Sequence, residues 1–207
     1  DLIMNDWTKL EVVLFILNMT LSSGIKSIIK SQSRKSIVAL EFIYQCLDSL
    51  LNISSRCRGA IPEELVHTAT SFIGTCSSIL TNNKYQCSNG DLLVTKFVPC
   101  IGFAFDSVNV ASASLPASKA ILQLCVHGSH LIRRETTLVE NLMSSCARII
   151  KNMNIDPDAM TVIVEGLTRC MVCAESTYEL AFNSMGFIGN VVIIELQHAC
   201  EAVIQTN

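Results

Sequence analysis

The feature that most constrains this chain is a rhythm of helix openings. Asp6 ahead of Trp7, then Pro62, Pro116 and Pro157, each stand before an apolar pattern, and the openings lie 55, 54 and 41 residues apart. Proline loses nothing in a first helical turn, where the N–H has no partner in any case, and Asp is a strong N-cap. Between these marks the apolar residues recur at three and four rather than at two, which is the period of a helix. The expected fold class is all-α, with two helices to each unit of an imperfect repeat.

Eight helices are predicted. The first runs from Trp7 to about Leu21 and stops at Gly24; a Ser- and Lys-rich connector, Ser22 to Ser36, leads to the second, Ile37 to Ile53. The third spans Pro62 to Leu80, with Glu63 and Glu64 at the positive end of its dipole. The fourth spans Asp91 to Ser107 and is kinked at Pro99; the fifth spans Pro116 to Leu131, the sixth Thr137 to Met153 and the seventh Pro157 to Met171, capped by Asp156. The eighth covers Thr177 to Gln205, bent at Gly186 and Gly189.

A lone helix pair cannot bury its faces, whereas pairs stacked side by side bury a continuous core. The predicted architecture is therefore an α-α superhelix of about four HEAT-like helix pairs, a single solenoid with repeats at 1–56, 57–109, 110–154 and 155–207. A compact eight-helix bundle is the rival.

Composition narrows the function. Half of the residues are hydrophobic and 16% are charged, so almost every segment needs a surface to pack on and disorder is excluded for most of the length. No run approaches the roughly 20 apolar residues that cross a bilayer. The first residues have neither the basic region nor the apolar core of a signal peptide. The chain starts without Met and ends in mid-pattern, so it reads as a piece of a longer protein. Ten cysteines lie scattered at apolar helix positions, which points to a reduced, intracellular compartment rather than to a disulfide framework. The triplets at Asn18 and Asn52 fall near helix ends and read as coincidental matches to the glycosylation signal. A net charge of −3 implies neither nucleic acid nor an anionic membrane as partner.

Few residues suggest chemistry. Cys170 and Cys173 have the spacing of half a zinc or redox site, but they lie within one helix with no second pair, so core packing is the preferred reading. His127 and His130 could share a metal face; their place at a helix end beside Arg133 and Arg134 favours a solvated terminus. No nucleophile elbow, phosphate loop or metalloprotease helix is present. The expectation is a non-enzyme with no cofactor and no metal. Lys26, Lys30, Arg34 and Lys35 make the connector basic, which fits either an acidic partner or a hydrated link. Recognition is placed instead on two polar stripes, Glu41, Gln45 and Asp48 on the second helix and Glu140, Ser144, Arg148 and Lys151 on the sixth. Side chains repeated on successive units can make a long array of weak contacts.

Four segments resemble a known family. Asp6-Trp7-Thr8-Lys9-Leu10-Glu11-Val12-Val13-Leu14-Phe15-Ile16-Leu17 is similar to a helix midway along the importin-β-like nuclear transport receptors, in the transportin-SR and importin-thirteen branch. Val66 to Gly74 resembles that branch's tyrosine-threonine-serine helix, Pro116 to Cys125 its Lys-Ala-Ile helix, and Val164 to Leu167 its later Lys-Gly segment. Their order and spacing agree along the chain, while the basic Ser22 to Ser36 connector and the Thr81 to Gly90 loop depart from the pattern. The resemblance implies a central HEAT-repeat segment of a receptor that shuttles between cytoplasm and nucleus through the nuclear pore. Protein cargo, Ran-GTP and phenylalanine-glycine nucleoporins would be its partners, with Ran held mainly by parts outside this segment. It also implies that the odd helices form the outer layer, and the even ones, with the polar stripes, the inner. The alternative is a HEAT or armadillo-type interaction scaffold unrelated to transport.

Overall fold

In a computed structural model, residues 2–30, 34–56, 61–151 and 155–172 are described, with isolated positions between 186 and 197. Seven α-helices are found among the described residues: α1 (Leu2–Lys30), α2 (Arg34–Arg56), α3 (Glu63–Leu80), α4 (Phe97–Ser107), α5 (Ser114–Ile132), α6 (Thr136–Ile150) and α7 (Pro157–Val172). The fold is all-α; the described residues hold no strand, only one isolated antiparallel bridge between Gln86 and Leu92. The predicted eighth helix and Cys173 lie outside the described residues.

Four expectations are corrected. The first helix does not stop at Gly24, and its backbone stays helical to Lys30, so the supposed connector is largely helix. A glycine costs a helix only about 1 kcal/mol, too little to end one whose other residues are tolerated. Pro99 does not kink the fourth helix. It is the third residue of α4, inside the first turn, where its missing N–H is harmless. Asp91 consequently lies before the helix, in a tight turn closed by Gly90 at φ +93° and by a 2.8 Å bond from the Cys87 N–H to the Asp91 carbonyl. Asp6 does not cap the first helix, which already runs from Leu2, so the backbone is helical on both sides of it. The openings at the three prolines agree with the residues that mark them: Pro62 is the N-cap of α3, Pro116 lies in the first turn of α5, and the Asp156 carboxylate accepts from the Asp158 N–H at 2.8 Å.

The odd helices form a row. α1 packs along α3, α3 along α5 and α5 along α7, and these are the most extensive helix contacts among the described residues. The even helices are looser: α2 touches α4 lightly, and α4 rests chiefly on α5 and α3. Glycine explains the tightness of the row. A methyl group on Gly74 of α3 would lie 3.3 Å from the Ala120 Cα of α5, and one on Gly166 of α7 would lie 2.8 Å from the Leu122 Cα. Beneath the row runs one continuous core from Trp7 and Leu14 through Leu47, Phe72, Phe97 and Leu124 to Leu167. Each such side chain contributes roughly 1.5–3 kcal/mol by leaving water.

By length and mean hydropathy, Ser36–Ser55 of α2 would suffice to cross a membrane. Leu40, Ile43, Leu47 and Leu50 of that stretch are nevertheless buried in the core, while Gln45 and Asn52 look outward, as in an amphipathic core helix.

Candidate interaction groove

Once an odd helix turns its large apolar residues to the core, its opposite face is fixed by the helical period. On α3 the core side is Leu65, Ala69, Phe72 and Cys76, which leaves His67, Ser71, Gly74, Thr75 and Ser78 on the other. On α5 burial of Ala117, Ile121 and Leu124 leaves Pro116, Lys119, Gln123 and His127; on α1 burial of Leu14 and Leu21 leaves Glu11, Phe15, Asn18 and Ser22. Phe15 apart, these stripes are made of small and polar residues and the helices lie close together, so the face is a groove rather than a ridge. It holds a cavity of about 980 Å³ between α1, α3 and α5. A second cavity of about 420 Å³ shares Asn18, His67, Ser71 and Ser112 with the first and is edged by Glu11, Glu63 and Glu64.

Hydrogen bonds stitch the groove walls. Thr75 Oγ1 of α3 donates to Asn18 Oδ1 of α1 at 2.6 Å. Ser77 Oγ lies 2.9 Å from His127 Nδ1 of α5, and His67 Nδ1 lies 2.8 Å from the Ser112 carbonyl. Ser112 Oγ donates to Glu63 Oε2 at 2.8 Å. Burial pushes the His127 imidazole below its ordinary range, and the Gln123 backbone carbonyl partly restores it. By contrast Ser71, Ser78, Lys119 and Gln123 have no side-chain hydrogen bond or ion pair among the described residues, so their polar groups are available to a partner.

Ser77 and His127 have the separation of a nucleophile and its base. Acyl transfer also needs N–H donors for the developing oxyanion, and Ser77 sits in mid-α3, where the backbone amides are spent within the helix. The pair therefore ties α3 to α5. His130, at the end of α5, edges a separate polar recess with Asn82, Asn83 and Lys84. Cys170 is fully buried in α7. Among the described residues no three His, Cys, Asp or Glu side chains converge to hold a metal.

The two even-helix stripes meet different fates. Asp48 of α2 forms an ion pair with Lys96 and accepts from Asn52 Nδ2 at 2.9 Å, while the Lys96 ammonium lies 4.6 Å from the Tyr44 ring centroid. Burial pushes the ammonium down, but Asp48 and Tyr44 outweigh it and hold it above its ordinary range. Glu41 accepts from Ser88 Oγ at 3.0 Å. Both carboxylates thus fasten α2 to the segment between α3 and α4, and Gln45 alone of that stripe is exposed without such a tie. On α6, Arg148 reaches Asp106 of α4 at 3.5 Å, both largely in solvent, and Glu140, Ser144 and, at the C-cap just past the helix, Lys151 are exposed. The structure does not bring the two stripes together into one cluster.

Apart from His127, weighed there only as a metal ligand, the groove residues were not singled out from the sequence, where polarity at charged positions drew attention to the even helices. A signal was present: Ser71, Gly74, Thr75 and Ser78 are small residues at steps of three, one and three, a pattern that allows close helix approach. No family model matches this chain, and neither a curated protein nor a solved structure matches it.

Proposed function

We propose that this chain is a segment of a HEAT-like solenoid that acts by binding other proteins, and that it belongs to the middle of a nuclear transport receptor. What supports the solenoid is the order of packing, in which α1 lies on α3, α3 on α5 and α5 on α7. Units that touch mainly their neighbours are how a stack buries its core. The cysteines carry the same period. Buried Cys76, Cys125 and Cys170 on successive odd helices are 49 and 45 residues apart, and buried Cys46, Cys100 and Cys146 on successive even helices are 54 and 46 apart.

In a curved double row the inner helices crowd and the outer ones splay. The crowded row here is the odd one, so this reading puts α1, α3, α5 and α7 on the concave side, the reverse of the order that the resemblance implied. The groove then faces the partner, and Glu140, Ser144, Lys151 and Gln45 face away.

The transport reading rests on the four resembling segments. They fall on α1, α3, α5 and α7, and they include Gly74, Ala120 and Gly166, the residues of closest approach within the row. Protein cargo, Ran-GTP and phenylalanine-glycine nucleoporins are the partners, no cofactor is needed, and the receptor shuttles between cytoplasm and nucleus. The test is capture of the full-length protein on immobilised Ran loaded with GTP or with GDP. Retention on the GTP form alone supports transport; equal or absent retention leaves a HEAT-type scaffold.

A further inference from the structure

The recesses along α3 join into one groove, and charge is sorted along it. Facing residues rise together in number, His67 with Ser112, Gly74 with Ala120 and Ser77 with His127, so α3 and α5 run parallel. The cavity of about 420 Å³ at the start of α3 shares Ser71 with the cavity of about 980 Å³ beside it, and that one shares Ser78 with a recess of about 400 Å³ past the helix end. The groove therefore follows the whole of α3, 18 residues or about 27 Å. Its first part is lined by Glu11, Glu63 and Glu64 and by no Lys or Arg. The rest is lined by Lys119 and Lys84 and by no carboxylate. Glu11, Glu64 and both lysines have no side-chain hydrogen bond or ion pair among the described residues. The dipole of α3 accounts for Glu63 and Glu64 in its first turn, but not for Glu11, which stands well inside α1 with the exposed Phe15 one turn further on.

We propose that the groove takes one extended segment of a partner protein, carrying an arginine and, four or five positions away, an aspartate or glutamate. The arginine lies at Glu11 and Glu64, the acid at Lys119. Length selects a polypeptide, since about 27 Å accommodates roughly eight extended residues. The spacing follows from the helix: Lys119 adjoins Ala120, which is level with Gly74, and Glu64 lies ten positions before Gly74, so the two charges stand about 15 Å apart. At about 3.3 Å per extended residue that is four or five positions, and side chains four apart share a face. Phe15 favours arginine over lysine, because a guanidinium can fork to a carboxylate while lying on an aromatic face. Ser71, Ser78 and Gln123 both donate and accept, as the N–H and C=O groups of an extended backbone require. Glu11, Glu63 and Glu64 do not converge to hold a metal ion, and they would repel the phosphates of a nucleic acid.

The inference rests on the reading that the groove faces the partner, and not on the transport reading. Selection of displayed random peptides of about nine residues on the immobilised 207-residue chain is expected to enrich sequences with an arginine and an acid at that spacing. For an enriched peptide followed by fluorescence anisotropy, Glu11→Gln and Lys119→Gln should each weaken binding about threefold. Glu11→Lys and Lys119→Glu, which add a repulsion to the lost attraction, should each weaken it about tenfold, with the far-ultraviolet circular dichroism unchanged. Changing the peptide's arginine to glutamate should recover most of the loss on Glu11→Lys and none on Lys119→Glu. Should a reversal unfold the chain, the two glutamine variants carry the test. No enrichment, or enrichment without the charge pair, overturns the inference. Peptides that lack the pair yet lose affinity in the Lys119→Ala, Gln123→Ala variant overturn it while leaving the groove as the binding face, and peptides that depend on Glu140 and Lys151 instead overturn both.

Discussion

Gly166 on α7 and Leu122 on α5 meet so closely that a methyl group on the glycine would stand 2.8 Å from the leucine Cα. The obstacle is backbone, which cannot swing aside as a side chain can. Gly166→Ala should therefore destabilise the fold by about 1–2 kcal/mol, the overpacking cost after subtraction of alanine's helix preference. Gly102, on the exposed side of α4, has nothing within 4 Å of the same methyl position, and Gly102→Ala should gain about 0.5–1 kcal/mol. Urea denaturation of the two variants beside the wild type reads both signs. Equal effects would mean that α5 and α7 are not packed this tightly.

His127 makes stability depend on pH. Burial lowers its folded pKa below the ordinary value of 6.5. Between those two values the unfolded chain binds more protons than the folded one, so this contribution is fully present above the ordinary value and is lost as pH falls through the folded value. Midpoints of denaturation should fall between about pH 7.5 and about pH 5. His127→Gln, which keeps an acceptor for Ser77, should flatten that slope; an unchanged slope would place the titrating group elsewhere.

Helix existence was legible in the sequence because it depends on local chemistry. Pro62, Pro116 and the Asp156–Pro157 pair each open a helix for reasons contained within one turn. Where expectation missed, the deciding energy was small or distant. Gly24 was read as a stop although a helix carries one glycine at little cost, and Pro99 as a kink although four residues of 3-10 turn, Leu93–Lys96, precede the helix and bring the proline into its first turn. The groove was less visible still. Its walls are defined by which odd helices lie side by side, and a pair such as Ser77 and His127, separated by 50 positions, has no mark in the sequence that joins them.

The buried thiols should be inert in the native state. Burial raises Cys46 to about 11 and Cys100 and Cys146 to about 12, and drives Cys76 and Cys125 well above the ordinary thiol range. Alkylation requires the thiolate and access to it, and both are withheld here. Brief iodoacetamide treatment near pH 8, followed by peptide mass spectrometry, should leave these five unmodified until denaturant is added. Rapid native labelling of Cys76 or Cys125 would show that the core opens far more readily than its burial implies.

Asp48 and Lys96 should prove structural. Lys96 is mostly shielded while Asp48 is 44% exposed, so the pair is screened on one side and a double-mutant cycle of Asp48→Ala with Lys96→Ala should give a coupling of about 0.5–1 kcal/mol. Because screening acts on the exposed partner, the coupling should shrink in molar salt. A coupling of zero would free Asp48 for the recognition role expected from its stripe.

Which face of the row meets a partner is decided by substitutions that disturb nothing else. Lys119 and Gln123 lie on the groove with their polar ends unengaged, and Glu140 and Lys151 lie exposed on or just beyond α6. None supports the core, so alanine at any of them should change stability by less than about 0.5 kcal/mol. If the crowded odd helices form the concave side, Lys119→Ala with Gln123→Ala should weaken binding of a captured protein partner by roughly tenfold or more, the loss of one or two interfacial hydrogen bonds. The Glu140→Ala, Lys151→Ala pair should leave the affinity within about twofold, as expected of residues outside an interface. The opposite pattern would return recognition to the even helices and make the groove merely the seam along which α1, α3 and α5 pack.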